Sequence, residues 1–208
     1  MRRSIVRAIA VFAALVGWMG LALQLWLLVS KLGVAAAVWH ILGFFTILTN
    51  IGAASVATAI AIGRDDWLSR ARARLMVTTS IVMVGLVYSV ALRALWNPTG
   101  LQGLADEALH DIAPLTWLLL WLVAPHPRLA WREIGWALLP PVSYVIYAMA
   151  RGAIEGWYAY WFLNPATQTR SAFVLSLFIL ICGFAMAAGA LVAVDRVLGR
   201  RRPAPSTA

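Results

Sequence analysis

An all-α bundle of six membrane-spanning helices is the fold class this sequence predicts, and three observations predict it. Six long apolar stretches fill most of the chain, with only short connections between them. Hydrophobic residues make up 62% of the chain and charged residues 12%, and the mean hydropathy is +0.83, far from a water-soluble composition. The 17 basic residues are also distributed unevenly between alternate connections. A helix needs about 20 apolar residues to cross roughly 30 Å of hydrocarbon.

The spans are expected at residues 8–28, 37–62, 75–95, 109–124, 134–150 and 172–197. The first follows Arg2, Arg3 and Arg7 and resembles a signal peptide at its start. Its apolar run continues through Leu27 and Leu28, with no small-residue cleavage site after it, so a retained helix is expected. The fourth and fifth are shortest, so their ends are expected to run into the flanking connections. Those connections are too short for a second folded unit. The chain reads as one domain over residues 1–202, with a disordered cytoplasmic tail at 203–208. No internal repeat supports an inverted-repeat transporter.

Orientation follows from charge. Arg2, Arg3, Arg7, Arg64, Arg70, Arg72, Arg74, Arg128, Arg132, Arg196, Arg200, Arg201 and Arg202 lie on one set of connections. Lys31, Arg93, Arg151 and Arg170 lie on the other. Basic connections stay cytoplasmic, so both termini are expected inside, and the net charge of +9 needs no nucleic acid partner. Trp39, Trp67, Trp96, Trp131, Trp136, Trp157 and Trp161 fall near expected span ends, as an interfacial aromatic belt does. Trp117 and Trp121, i and i+4 in the fourth span, are expected to pack on neighbours or lipid.

Composition also excludes several functions. Cys182, the single cysteine, lies in the sixth span, so neither a disulfide framework nor a cysteine metal cluster is available, and no cofactor is expected. Lys31, the single lysine, lies in a connection and cannot carry a buried Schiff base. Gly-x-Ser-x-Gly, the soluble-lipase signature, does not occur. The cytoplasmic halves of the spans are poor in the ionisable groups a polar conduction path would need, which argues against a channel or transporter.

The polar residues inside spans are few and therefore informative. Thr46 and Asn50, i and i+4, share a helical face, with Gly43 one turn away. The fourth span opens Asp106-Glu107-Ala108-Leu109-His110-Asp111 and reaches Pro114. Asp106 and Glu107 stand at i−4 and i−3 from His110, so either could hold its imidazole if the helix begins that early. On spacing alone both groups also fit plain packing: interhelical hydrogen bonds beside small residues, and acidic residues complementing a helix dipole.

Three segments carry a resemblance: Phe-Phe-Thr-Ile-Leu-Thr-Asn at 44–50, Leu-His-Asp-Ile-Ala-Pro at 109–114, and Arg-Gly-Ala-Ile-Glu-Gly-Trp-Tyr-Ala-Tyr-Trp-Phe-Leu-Asn-Pro at 151–165. Together they resemble the bacterial six-helix branch of the androgen-induced protein family, which includes the androgen-dependent regulator of tissue-factor-pathway inhibitor. The resemblance covers nearly the whole chain: six spans, both termini inside, and the three segments in order. Ala159 and Trp161 stand where bacterial relatives usually have proline, and Leu120 precedes Trp121 where they often have aspartate. Animal members are membrane threonine hydrolases that cleave fatty acid esters of hydroxy fatty acids. Carried over, the resemblance implies Thr46 as nucleophile and His110 as its base, in a multi-pass protein of the cell membrane whose partners are membrane lipids. Asn50 is expected to position the hydroxyl or bind an oxyanion, and Asp106 or Glu107 to orient the histidine. The 151–165 segment, with Arg151, Gly156, Trp157, Tyr158 and Tyr160, is expected to cap the outer mouth of the bundle. A non-enzymatic structural, regulatory or lipid-binding membrane protein is the alternative, ahead of a transporter.

Overall fold

Long apolar runs leave the backbone only one way to satisfy its polar groups away from water, and the chain takes it. The computed structural model describes residues 1–200, Arg200 by its backbone alone. It is all-helical, 82% helix, with no strand among the described residues. The helices are α1 (Arg2–Leu32), α2 (Val34–Ile41), α3 (Phe45–Ala61), α4 (Ala71–Val87), α5 (Gly100–Glu107), α6 (Ala113–Val123), α7 (Glu133–Ala137), α8 (Leu139–Glu155) and α9 (Arg170–Arg200). The tail expected at 203–208 lies outside the described residues.

Four helical segments are long and apolar enough to cross a membrane: Arg2–Leu32, Ala71–Leu95, Glu133–Glu155 and Arg170–Gly199. A fifth is available if α2 and α3, bent by 89°, count as one. The structure thus supplies four or five of the six expected spans. Helix α5, a π-helical stretch over Ala108–Ile112 and α6 run on without a break, but Asp106, Glu107 and Asp111 occupy the first half of that rod.

Two expected spans are built differently. Residues 37–62 do not form one helix. Gly43 N–H donates to His40 O and Phe44 N–H to Ile41 O, closing a tight turn. A Cβ at Gly43 would lie 2.8 Å from the Trp157 ring and 2.9 Å from an Arg151 nitrogen. The carbonyls released at this break find hydroxyl donors on α8: Tyr144 donates to Gly43 O at 2.9 Å and Tyr147 to Leu42 O at 3.3 Å. The fifth span stays one helical segment, Glu133–Glu155, with a single turn residue, Leu138, between α7 and α8 ahead of Pro140 and Pro141, which have no N–H to give a helix. It then runs beyond 150 to Glu155, where Gly156 closes it in the left-handed conformation, φ 69°.

The core is made by small residues at helical spacing. Ala10, Ala13, Ala14 and Gly17 on α1 face Ala53, Ala54 and Ala57 on α3. A Cβ on Gly17 would touch that of Ala54 at 3.0 Å, so the two backbones approach as closely as small-residue membrane interfaces allow. Trp117 and Trp121 are buried in this core and its neighbour.

Part of the basic excess has a local purpose. Arg7 donates to Ala61 O at the end of α3, and Arg2 to Val123 O and Ala124 O at the end of α6. Cations at helix C-termini complement the free carbonyls and the dipole. Arg74 reaches Pro125 O at 2.8 Å and Arg196 reaches Leu129 O at 3.0 Å, so the beginning and end of the described chain lie on the same face as residues 61–74 and 123–132. That face also holds a pair the sequence does not announce: buried Asp195 accepts from Leu129 N–H at 2.6 Å and from His126 Nδ1 at 3.0 Å.

Candidate active site

Opposite the face that gathers the chain ends, α3 begins where the expected second span breaks. Thr46 is its second residue and is buried. The rod carrying His110 starts at Gly100, ten residues ahead of the histidine, so the imidazole sits well inside a helix instead of at its end. Thr46 Oγ1 lies 3.3 Å from His110 Nε2.

The other face of the imidazole is equally defined. His110 Nδ1 lies 3.0 Å from the backbone oxygen of Asp106 and 3.2 Å from its carboxylate. Two acceptors at Nδ1 place the proton there and leave Nε2 with a lone pair toward the threonine hydroxyl, the tautomer a general base needs. The π-helical stretch that contains His110 explains the choice of acid. Its wider turn brings the residue at i−4 under the ring and swings i−3 away. Glu107 is exposed and makes no contact with His110, so the expectation that either acid could orient the imidazole narrows to Asp106. Isolated π turns of this kind occur frequently at functional sites.

Tyr88, which sequence reasoning missed, completes the group. Its ring stacks on His110 with centroids 4.0 Å apart and planes 15° from parallel, and its hydroxyl donates to the second carboxylate oxygen of Asp106. Tyr88 opens a π-helical stretch of its own, Tyr88–Leu92, facing the one around His110. Gly85, one turn earlier, makes that approach feasible. A Cβ there would lie 3.1 Å from both His110 O and the Pro114 ring. Asp111 faces away and binds Arg93.

From the 156–169 connection Tyr160 turns inward and is buried, its hydroxyl 3.4 Å from Thr46 Oγ1 and accepting from Thr46 N–H at 3.3 Å. Burial pushes its phenol well above the usual tyrosine range, so it stays a neutral O–H donor. Asn50 does something other than expected. Its amide donates to Thr46 O at 2.9 Å and Leu109 O at 3.3 Å, so it ties the threonine's helix to the histidine's and sends neither N–H to the Thr46 hydroxyl.

The remaining residues expected at the mouth mostly build the connection. Arg151 is buried, pairs with Glu155 at 2.9 Å, and stacks on Trp39 at 4.3 Å. Trp39 in turn donates to Glu155 at 2.8 Å. Trp157 packs on His40 and Phe44, while Tyr158 lies over Gly152, where no Cβ would fit. Gly156 supplies the helix stop. Of this group only Tyr160 reaches the space beside Thr46.

That space has two arms of opposite character. One is a cavity of about 380 Å³ with a polar rim that includes Gln24, Lys31, His40 and Gln102, and with Thr46, Asp106 and His110 in its wall. The other is a narrow apolar pocket of about 40 Å³ between α3, α4, α8 and α9. Thr46, Tyr88, Leu92 and Tyr160 line both. A hydroxyl, an imidazole with a free Nε2 lone pair, a carboxylate behind it and a neutral phenol meet where the arms join. Chemically this arrangement can transfer an acyl group through the hydroxyl. Among the described residues no three His, Cys, Asp or Glu side chains converge as metal ligands would. Comparison with protein-family models, curated proteins and solved structures finds no match.

Proposed function

We propose that this chain is a six-span protein of the cell membrane, with both termini cytoplasmic, that hydrolyses long-chain lipid esters through Thr46 and His110. The observation that carries this reading is the 3.3 Å contact between Thr46 Oγ1 and His110 Nε2, backed by Asp106 at Nδ1. The resemblance of the 44–50, 109–114 and 151–165 segments to the androgen-induced protein family, and the thirteen-to-four division of basic residues, support it from the sequence side.

In the proposed reaction Thr46 Oγ1 attacks the ester carbonyl carbon while His110 Nε2 takes the hydroxyl proton. The carbonyl oxygen becomes an oxyanion, and the Tyr160 O–H, held 3.4 Å from Thr46 Oγ1, donates to it. Collapse of the tetrahedral intermediate breaks the bond to the alcohol oxygen, which leaves with the proton from His110. Water, deprotonated by the same Nε2, then cleaves the acyl-threonine and releases a fatty acid with Thr46 restored. The polar-rimmed arm suits the alcohol portion and the apolar arm the acyl portion. Removing either partner of a nucleophile–base pair costs on the order of 10²–10⁴-fold or more. Thr46→Ala and His110→Ala in reconstituted protein should therefore each abolish ester hydrolysis, and the double variant should be no worse. Turnover equal to wild type in Thr46→Ala would remove the nucleophile from the scheme.

A further inference from the structure

Arg93 has no part in the reaction scheme, yet its place is set by backbone, ring and carboxylate together. The π-helical stretch Tyr88–Leu92 closes with Arg93 N–H donating to Tyr88 O, the i to i+5 register of a π turn. In an α-helix a residue five places on lies about 140° around the axis, so the wide turn is what returns Arg93 to Tyr88. The guanidinium carbon stands 4.8 Å from the centroid of the Tyr88 ring, inside the ~6 Å at which a cation is attracted to an aromatic face. The same ring carries the His110 imidazole at 4.0 Å. Arg93 also donates to Asp111, the residue that follows His110 in the facing π-helical stretch, Ala108–Ile112. A loop of contacts is thereby closed: Arg93 on Tyr88, Tyr88 on His110, and Asp111 back to Arg93. An arginine near the end of a membrane span ordinarily extends its charge toward water, whereas this one folds back onto a ring.

We propose that Arg93 is a positioning residue for the hydrolysis: by holding the Tyr88 ring against the imidazole and tethering the chain at Asp111, it keeps His110 Nε2 within reach of the Thr46 hydroxyl. The proposal rests on the hydrolase reading and adds a residue to it. Arg93 lines neither arm of the space beside Thr46, so it acts through Tyr88 and Asp111 and not on the ester. Charge permits the role. Arg93 and Asp111 neutralise each other, as do Asp106 and the imidazolium that forms when Thr46 gives up its proton, so the guanidinium does not oppose the transfer. Distance makes the role matter. Thr46 Oγ1 and His110 Nε2 are 3.3 Å apart, at the outer edge of the ~2.6–3.2 Å over which a base takes a proton, and a small drift of the imidazole would break the contact.

The test measures kcat and KM for p-nitrophenyl palmitate in nanodiscs, for Arg93→Met and Arg93→Lys and for Arg93→Met combined with Tyr88→Phe or Tyr88→Leu. Arg93→Met should lower kcat by roughly 10–10²-fold, the scale of a ~1 Å misplacement of a catalytic group, and leave KM unchanged. Arg93→Lys keeps a cation for the ring and for Asp111 and should recover most of the loss. The loss should persist in Tyr88→Phe, which keeps the ring, and vanish in Tyr88→Leu, which does not. An equal loss in both backgrounds, or an unchanged kcat in Arg93→Met while hydrolysis still depends on Thr46, overturns the positioning role and leaves the hydrolase standing. A second measurement needs no turnover. In histidine-labelled protein the ring-proton NMR resonances of His110, identified by their absence in His110→Ala, feel the ring current of Tyr88. Arg93→Met should move them toward their Tyr88→Leu positions. That movement without any hydrolysis in wild type would support the contact loop and remove the hydrolase. Resonances unmoved in Arg93→Met overturn the proposal.

Discussion

Asp106→Asn is the most discriminating substitution, because two different roles for this residue predict very different losses. If the carboxylate alone fixed the tautomer of His110, its amide replacement would present an N–H to Nδ1 and flip the ring's protonation. In a serine-protease triad that change costs about 10⁴-fold. Here the backbone oxygen of Asp106 lies 3.0 Å from Nδ1, closer than the carboxylate at 3.2 Å, and no side-chain substitution removes it. The tautomer should survive, and the variant should lose only the stabilisation of the imidazolium that forms as Thr46 gives up its proton. A hydrogen bond to a charged group contributes about 1.5–3 kcal/mol, which at about 1.4 kcal/mol per decade is roughly 10–100-fold in kcat. The Tyr88 hydroxyl keeps an acceptor in the asparagine oxygen, so its stacking on the imidazole should persist. The assay is kcat for a long-chain ester in nanodiscs, with Glu107→Gln as the control. Glu107 is exposed, so that variant should match wild type. A loss near 10⁴-fold in Asp106→Asn would refute the role given to the backbone carbonyl, and no loss at all would refute the coupling of Asp106 to the histidine.

Other outcomes follow from the same geometry. Tyr160→Phe should lower kcat by roughly 10²–10³-fold, the usual effect of removing one oxyanion donor, with little change in KM. Because burial raises the phenol's pKa, the donor form persists to higher pH than in a free tyrosine at about 10. Wild-type activity should therefore show no loss attributable to this residue below that value, and an alkaline fall under pH 10 that disappears in Tyr160→Phe would contradict the assignment. Gly85→Ala should place a methyl 3.1 Å from His110 O and from Pro114, neither of which yields easily. Overpacking of this kind costs about 1–3 kcal/mol, measurable as a lower Tm in detergent together with reduced turnover, and an unchanged Tm with full activity would refute the tight fit.

The long helices were legible because nothing competes with apolar composition over 20 or more residues. Helices α1 and α9 and the rod beginning with α4 occupy the expected stretches. The break at Gly43 was not legible. Its cause is the packing of Trp157 and Arg151, more than a hundred positions away, and the tyrosines that satisfy the freed carbonyls are equally distant. Asp106 could be named from spacing, since of the positions one turn from His110 only i−4 and i−3 are acidic. Choosing it over Glu107 required the π turn, which leaves no mark in sequence. Tyr88 carries no mark in the sequence and is one aromatic residue inside the third apolar stretch. Only its stacking against His110 from another helix distinguishes it. Tyr160 is expected at the mouth with its neighbours, yet of that group it alone reaches Thr46. The alternation of outward Trp161 and inward Tyr160 belongs to the turn at Trp161–Leu163 and not to a helical or strand period.

Covalent capture of the nucleophile tests the central claim most directly. Reconstituted wild type is treated with a long-chain alkyl fluorophosphonate and the modified residue is located by peptide mass spectrometry. The account predicts one adduct on Thr46, lost in Thr46→Ala and strongly slowed in His110→Ala. An adduct on any other hydroxyl, or no adduct while ester hydrolysis proceeds, would contradict it.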